Sequence, residues 1–279
     1  MDTALLCCPL CGGSLTLEGR TLRCGKNHCF DLARQGYVNL LPVDRKRSRH
    51  PGDTRDMVAA RKEFLDRGYY RPIADKLVET ALPLLSGGGN VLDAGCGEGY
   101  YLSCLQTQAP QAGQFVGVDI SKDAVRYASV RNKDAWWLMA SAARLPLKSG
   151  SFRLVTSMFA LAAPEEFRRV LSEGGYYLEV TAGREHLLGL KALIYSTLTE
   201  KAPLTAPDYP GFRLLREETL EFSFFLPDHA DIQRLLSMTP HFWRITRAGA
   251  QRAEAAQTLS DTAQVLFRLY QKVAEAEKI

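Results

Sequence analysis

The pattern of apolar and polar positions divides the chain. Up to about residue 40, short alternating runs such as Ser14-Leu15-Thr16-Leu17 sit among cysteines and glycines. Alternation over so few residues predicts short strands, so this segment reads as a small β-rich module. Residues 54–83 show helical periodicity broken near Gly68 and Pro72. Past the joint Gly87-Gly88-Gly89, short apolar runs alternate with amphipathic stretches. The pattern predicts a strand from Val91 running into glycines, a helix over 99–108, a strand over 115–119 and a helix over 121–131. Strands over 136–140 and 154–158, a helix over 164–171 and a strand over 176–180 follow. Strands alternating with helices mean right-handed βαβ units, hence an α/β fold on a parallel sheet. A helix over 184–200, a strand over 220–226, a helix over 229–237 and a strand over 264–270 complete the reading. The late strands extend one edge of the sheet.

Of 279 residues, 46% are hydrophobic and 24% charged, which excludes wholesale disorder, collagen and a pure coiled coil. No apolar run approaches the ~18 residues of a membrane span, so no membrane partner is expected. Met1 to Cys7 has neither a basic start nor a long apolar core, so no secretory leader is expected and the location reads as cytoplasmic. The expected organisation is a metal module over 1–42, a basic connector with helices over 43–84 and a large domain over 85–279. Charge follows this division. Residues 1–76 carry 14 Lys+Arg against 9 Asp+Glu, whereas the remaining 203 carry 21 against 22. An anionic partner is expected at the front of the chain.

The first strand of the α/β region runs into Asp93-Ala94-Gly95-Cys96-Gly97-Glu98-Gly99-Tyr100-Tyr101, with glycine at every second position. A dinucleotide fingerprint places its third glycine where Tyr100 stands. Gly95 and Gly97 let the backbone pass close under a ligand. Glu98 falls where the next helix begins. A carboxylate there repels a pyrophosphate and suits a cationic ligand, which favours S-adenosylmethionine over NAD. Asp119 ends the following strand, twenty residues past Gly99. Doubly wound sheets place there an acid that bonds ribose hydroxyls. After the third strand come Ala140-Ser141-Ala142-Ala143-Arg144-Leu145-Pro146, small enough for an adenine to lie against the backbone. Asp93, Gly95, Gly97, Glu98, Gly99, Asp119, Ser141 and Ala142 are thus the candidate cofactor residues. A glycine-rich turn alone reads equally well as a tight strand–helix connection; the spaced acid and the Leu-Pro step favour binding.

Five of the seven cysteines fall within the first 29 residues. In a reducing compartment such a cluster reads as a metal site before it reads as disulfides. Cys8-Pro9-Leu10-Cys11 followed by Cys24 and His28 gives C-x2-C-x12-C-x3-H. Three thiolates and an imidazole suit a closed, tetrahedral, structural Zn²⁺ site. Cys7 competes with Cys8, and Cys29 with His28. Cys8 is preferred because it alone completes C-x2-C. Cys96 and Cys104 read as packing residues.

A zinc module, a basic connector and this glycine turn together resemble the RlmA-type family of bacterial 23S rRNA (guanine-N1)-methyltransferases. The resemblance is nearly full length. It runs through Cys8 to Cys11, His28 to Asp31, Gly36 to Pro42, Lys46 to Arg49, Pro51 to Asp53, Gly68 to Tyr70, Val91 to Tyr101, Arg184 to Leu187 and Met238 to Pro240. It implies a Rossmann-like class I methyltransferase sheet with helices on both faces. It also implies methyl transfer from S-adenosylmethionine to N1 of a guanine in a hairpin loop of 23S rRNA domain II. The family forms homodimers whose zinc modules line an RNA cleft, and some members confer macrolide resistance. Carried over by position, the zinc ligands are Cys8, Cys11, Cys24 and His28, and the cofactor residues are Tyr70, Gly97, Glu98 and His186. Taken alone, Tyr70 reads as a core aromatic and His186 as a surface or capping residue.

After strand four this chain has Phe159-Ala160-Leu161, with Leu161 where the family carries proline. Phe159 is the candidate for stacking on the base. No residue is named as general base; Glu179 and Asp93 are the acids considered, with structural or cofactor-facing roles preferred. Arg45, Lys46, Arg47 and Arg49 are the candidate phosphate contacts, against the plainer reading of a solvated basic loop. Two other functions fit parts of the sequence: a small-molecule methyltransferase, which needs no zinc knuckle, and a non-catalytic zinc-dependent RNA-binding protein.

Overall fold

The computed structural model describes residues 2–42, 52–198 and 204–274. The N-terminal module is an antiparallel ribbon of β1 (Leu15–Glu18), β2 (Thr21–Cys24) and β3 (Cys29–Asp31). The chain then enters the central sheet through β4 (Val38–Asn39). Two helices follow, α1 (Arg55–Asp66), capped by the Thr54 hydroxyl, and α2 (Arg71–Ala81), which carries Pro72 in its first turn. The α/β alternation runs β5 (Asn90–Ala94), α3 (Tyr100–Gln108), β6 (Phe115–Asp119), α4 (Lys122–Arg131), β7 (Trp136–Met139), β8 (Phe152–Met158), α5 (Pro164–Val170) and β9 (Leu171–Ala182). It ends with α6 (Leu188–Ile194), β10 (Phe212–Leu226), α7 (His229–Ser237), α8 (Arg247–Ala255) and β11 (Leu259–Lys272). Among the described residues the central sheet has eight strands in the order β10-β11-β9-β8-β5-β6-β7-β4. From β9 to β4 all pairs are parallel, and β11 and β10 add an antiparallel edge.

Period-two alternation divides the core. Trp136 and Leu138 of β7 join one apolar cluster, and Trp137 and Met139 join the other. Helices α1 to α4 and α6 to α8 contribute to the second cluster. On the opposite face only α5 does, through Phe167 and Val170; the rest of that cover includes Leu5, Leu6, Leu15 and Leu22 of the N-terminal module. Helices therefore lie on both faces as expected, but the zinc module takes the place of helical cover on one of them. The union is also hydrogen-bonded. Leu6 bridges Leu147, the Cys7 N–H donates to Pro146 O at 2.9 Å and Trp136 Nε1 donates to Asp2 O at 3.1 Å.

Several elements differ from their predicted extent. The helix expected over 184–200 is confined, among the described residues, to α6, because Leu187 before it takes a left-handed φ of 57°. Strand β9 begins at Leu171, before the Gly174-Gly175 pair that hides its start in the sequence. Strands β10 and β11 are longer than expected, since their charged positions face solvent or pair with each other. Helix α8 and strand β4 were not anticipated.

Candidate cofactor cavity and metal centre

Strands β5, β6, β7, β8 and β9 end at one edge of the sheet, and the order reverses beside β5. That crevice is where doubly wound sheets bind ligands. A cavity of 1040 Å³ opens there. This is at the top of the ~300–1,000 Å³ range of small-molecule pockets, with room for a second group beside a cofactor.

The loop after β5 forms the cavity floor. Gly95 has φ 87°, and a Cβ on it would lie 2.4 Å from Ala160 Cβ. Its missing side chain therefore admits the loop after β8, not a ligand. Gly97 differs: at φ 54° a Cβ would meet only Arg61 Nη1, at 3.7 Å. This is the glycine that leaves the floor bare. Its N–H donates to Asp119 Oδ2 at 2.9 Å, and the Ser121 N–H donates to Oδ1 at 2.8 Å. Burial pushes the Asp119 carboxyl up, against the pull of these two amides. Each oxygen retains a lone pair for a polyol. Ser141 and Ala142 line the cavity, as do Gly97, Glu98, Asp119 and Phe159.

Two acids behave differently from their predicted parts. Glu98 is 2% exposed and its Oε2 accepts from Arg131 Nε at 2.7 Å. Arg131 also reaches Asp66 at 2.8 Å. The negative charge expected to attract a cation is thus matched inside the protein. Burial still pushes the Glu98 carboxyl up, with Arg131 pulling it down. Asp93 is 1% exposed and lies under the loop, outside the cavity wall. Thr156 Oγ1 donates to its Oδ1 at 2.9 Å, and its Oδ2 has no partner. Burial pushes its carboxyl up to about 7, opposed by Thr156 and reinforced by the charge of Asp119. Glu179 is likewise outside the wall, held by Tyr209 at 2.7 Å and Arg268 at 3.3 Å. Neither acid considered as a base borders the cavity.

An aromatic cluster stands over the other side. Tyr70 and His186 are both buried, with Tyr70 Oη and His186 Nε2 3.4 Å apart. The Phe159 ring centroid lies 6.5 Å from that of Tyr70, 6.4 Å from Tyr101 and 6.1 Å from His186. Phe159 is 40% exposed and has a φ of 54°, a strained region for a bulky residue. Its N–H donates to Val180 O at 2.8 Å, which pins the loop. Leu161, the departure from the family pattern, is 90% exposed and supports no packing.

Sequence reasoning missed Arg61 and the turn Pro240–Trp243. Arg61 pairs with Asp53 at 2.5 Å and donates from Nη2 to Met238 O at 3.3 Å, tying three distant segments over the glycine loop. Their signal lay within the matched stretches around Asp53 and Pro240, whose chemistry the sequence alone did not disclose. Arg45, Lys46, Arg47 and Arg49 lie outside the described residues. On either side of them, the Leu40 N–H donates to Met139 O at 2.9 Å, and Gly52 and Asp53 line the cavity.

At the metal centre, the ligand atoms of Cys8, Cys11, Cys24 and His28 all lie within 4.8 Å of one another. Cys8 Sγ and Cys24 Sγ are each 3.4 Å from His28 Nδ1, and Cys11 Sγ is 3.7 Å from Cys24 Sγ. A tetrahedral Zn²⁺ with bonds of ~2.3 Å to sulfur and ~2.0 Å to nitrogen requires S···N edges of ~3.5 Å and S···S edges of ~3.8 Å. The residues fit the ion. Spacing preferred Cys8 to Cys7 and left Cys29 open beside His28; the structure brings Cys8 and His28 into the cluster. Cys29 is exposed and donates to Asn27 O, while Cys7 stands outside the cluster.

A methyltransferase sheet with a glycine-floored cavity, joined to a four-ligand ribbon, defines a class I methyltransferase carrying an N-terminal zinc module. Residues 6–49 match the RlmA N-terminal zinc ribbon and residues 91–175 a methyltransferase domain. The chain is 36% identical over 242 residues to the 23S rRNA (guanine(748)-N(1))-methyltransferase of Streptomyces fradiae, covering 85% of each. It is 31% identical over 260 residues to a putative 23S rRNA (guanine-N(1)-)-methyltransferase of Bacillus subtilis, covering 87% of this chain and 88% of that one. A third relative, from Micromonospora griseorubida and similarly named, is 38% identical over 202 residues, covering 66% and 67%. The chain belongs to the family of 23S rRNA (guanine-N1)-methyltransferases. Its cofactors are S-adenosylmethionine and a structural zinc ion, which the cavity and the cluster fit. Among the described residues no helix is long and apolar enough to cross a membrane.

Proposed function

We propose that this chain transfers the methyl group of S-adenosylmethionine to N1 of a guanine in a hairpin loop of 23S rRNA domain II. We infer further that it acts in the cytoplasm as a homodimer. The names of its relatives support the reaction. The observation that carries the reading is the attachment of the zinc ribbon to this sheet. Through β4 the ribbon meets β7, whose carboxyl end leads into Ala140 to Ala143 of the cavity wall. A metabolite methyltransferase needs no such attachment.

When bound, S-adenosylmethionine supplies a methyl already activated by its sulfonium, so no protein nucleophile is needed; guanine N1 takes the methyl as its own proton passes to water, and S-adenosylhomocysteine leaves. The protein's part is positioning, which is worth several orders of magnitude in rate. Asp119, fixed by the Gly97 and Ser121 amides, accepts from the ribose hydroxyls. Gly97 leaves the floor beneath the cofactor bare, while Gly95 makes room for Ala160. Gly99, expected from the sequence to face the cofactor, instead makes room for Trp137 and Ala128 outside the cavity wall. Glu98 and Asp93 are the loop's buried supports. Ser141 and Ala142 leave a flat edge for the adenine. Tyr70 and His186 close the far side, and Phe159 takes the extruded guanine on its exposed face. Extrusion costs least from an unpaired loop. Arg45, Lys46, Arg47 and Arg49 meet phosphates.

The test is transfer of labelled methyl to a domain II transcript, followed by nucleoside chromatography. Label co-migrating with 1-methylguanosine is expected. Label on another nucleoside, or none with cofactor bound, overturns the assignment.

A further inference from the structure

The turn Pro240–Trp243 buries none of its residues, yet it presents Phe242 at 41% and Trp243 at 66% exposure. An indole left in water contributes nothing to the core, and large exposed aromatics mark contact surfaces. Pro240, His241, Trp243 and Arg244 line the same cavity as Gly97 and Phe159. The turn is held firmly. Tyr195 Oη lies 2.9 Å from His241 Nδ1, and Arg61 holds Met238 O. Phe242 meets Trp243 edge to face at 5.2 Å, which sets the indole plane. The chain on either side of it carries positive charge. Residues 232–253 contain Arg234, Arg244, Arg247 and Arg252 and no acid. Arg234 is paired with Asp231 and Glu63, and Arg252 binds the Leu193 and Ile194 carbonyls. Arg244 and Arg247 are exposed and make no ion pair among the described residues. A preorganised aromatic face beside free guanidinium groups is the chemistry that receives unpaired nucleotides.

We propose that Trp243, with Arg244 beside it, is a stacking platform for an unpaired nucleotide flanking the target guanine. It is a positioning residue and rests on the reading of the chain as an rRNA methyltransferase. The target base enters the cavity toward Phe159, and its neighbour stacks outside on Trp243. A loop is then favoured over a duplex because two adjacent bases must be unstacked.

The protein carries its own probe. Of its three tryptophans, Trp136 and Trp137 are each 1% exposed, so Trp243 is the one that solvent and RNA can reach. The experiment titrates holoprotein with a domain II hairpin and with a blunt duplex of its stem, following tryptophan emission, RNA affinity and methyl transfer. The hairpin should quench emission and the duplex should not, and Trp243→Phe should abolish the quenching while retaining most of the affinity. Trp243→Ala should weaken hairpin binding by about 5- to 150-fold, the loss expected of one stacked base. It should raise KM for RNA far more than it lowers kcat, with cofactor affinity unchanged. Equal hairpin affinity for wild type and Trp243→Ala, with wild type active, overturns the platform alone. Equal quenching by the duplex also overturns it. Wild type that binds cofactor but methylates no rRNA overturns the underlying reading instead.

Discussion

Gly95→Ala puts the geometry of the glycine loop to a quantitative test. The left-handed φ of 87° costs a side chain about 1–2 kcal/mol. The added Cβ also falls 2.4 Å from Ala160 Cβ, so one loop must move, which overpacking data put at about 1–3 kcal/mol. The sum, roughly 2–5 kcal/mol, corresponds to a fall in Tm of roughly 3–9 °C for a chain of this size. Gly97→Ala meets no atom nearer than 3.7 Å and has a φ of 54°. It should lose only about 1 kcal/mol of stability, while its methyl enters the cavity and weakens cofactor binding. Thermal melts with and without S-adenosylmethionine, and titration calorimetry, separate the two variants. The steric share has its own control: Ala160→Gly removes the opposing Cβ, so the double variant should recover roughly 1–3 kcal/mol of the loss. If Gly95→Ala melts with Gly97→Ala, or Ala160→Gly restores nothing, the packing argument is wrong.

Other predictions follow from the buried charges and the metal. The Asp93 carboxyl is raised from 3.8 to about 7, so between these values the folded state binds more protons and stability falls as pH rises. Asp93→Asn should remove that slope and raise stability at pH 7 by up to roughly 4 kcal/mol, with little change near pH 4; parallel denaturation curves at both pH values for the two proteins would contradict this. Arg131→Gln leaves Glu98 buried without its cation and should destabilise by about 3–5 kcal/mol, less at low pH where Glu98 is protonated; an unchanged urea midpoint at neutral pH would refute it. Chelation of zinc should expose the apolar face that the ribbon covers, seen as dye binding and a lower Tm, with one zinc per chain recovered by metal analysis. Neutralising Arg45, Lys46, Arg47 and Arg49 together should reduce the slope of log affinity against log salt by up to about 3, and an unchanged slope removes them from the interface.

The alternating region was legible because its local signals agree. Strand β6 and helix α7 fall where the sequence put them, the first an apolar run closed by Asp119 and the second opened by the capping Asp228. Tertiary facts were not legible. Nothing in the spacing tells that Arg131 neutralises Glu98, or that Asp93 sinks beneath the loop instead of facing the cavity. Likewise β4 has two residues and gains its identity only from pairing with β7. At the metal centre, spacing reached the ion but left His28 and Cys29 in competition. The turn through Asn27, whose φ is 61°, brings the imidazole inward and the neighbouring thiol out.

The most direct test of the account is reverse transcription of 23S rRNA from cells with and without the gene. A methyl on guanine N1 blocks the Watson–Crick edge and halts the enzyme. A stop one nucleotide before a guanine in a domain II loop, present only with the gene and lost with Gly97→Ala, is expected. Identical extension patterns in cells that make folded, zinc-loaded protein would contradict the account.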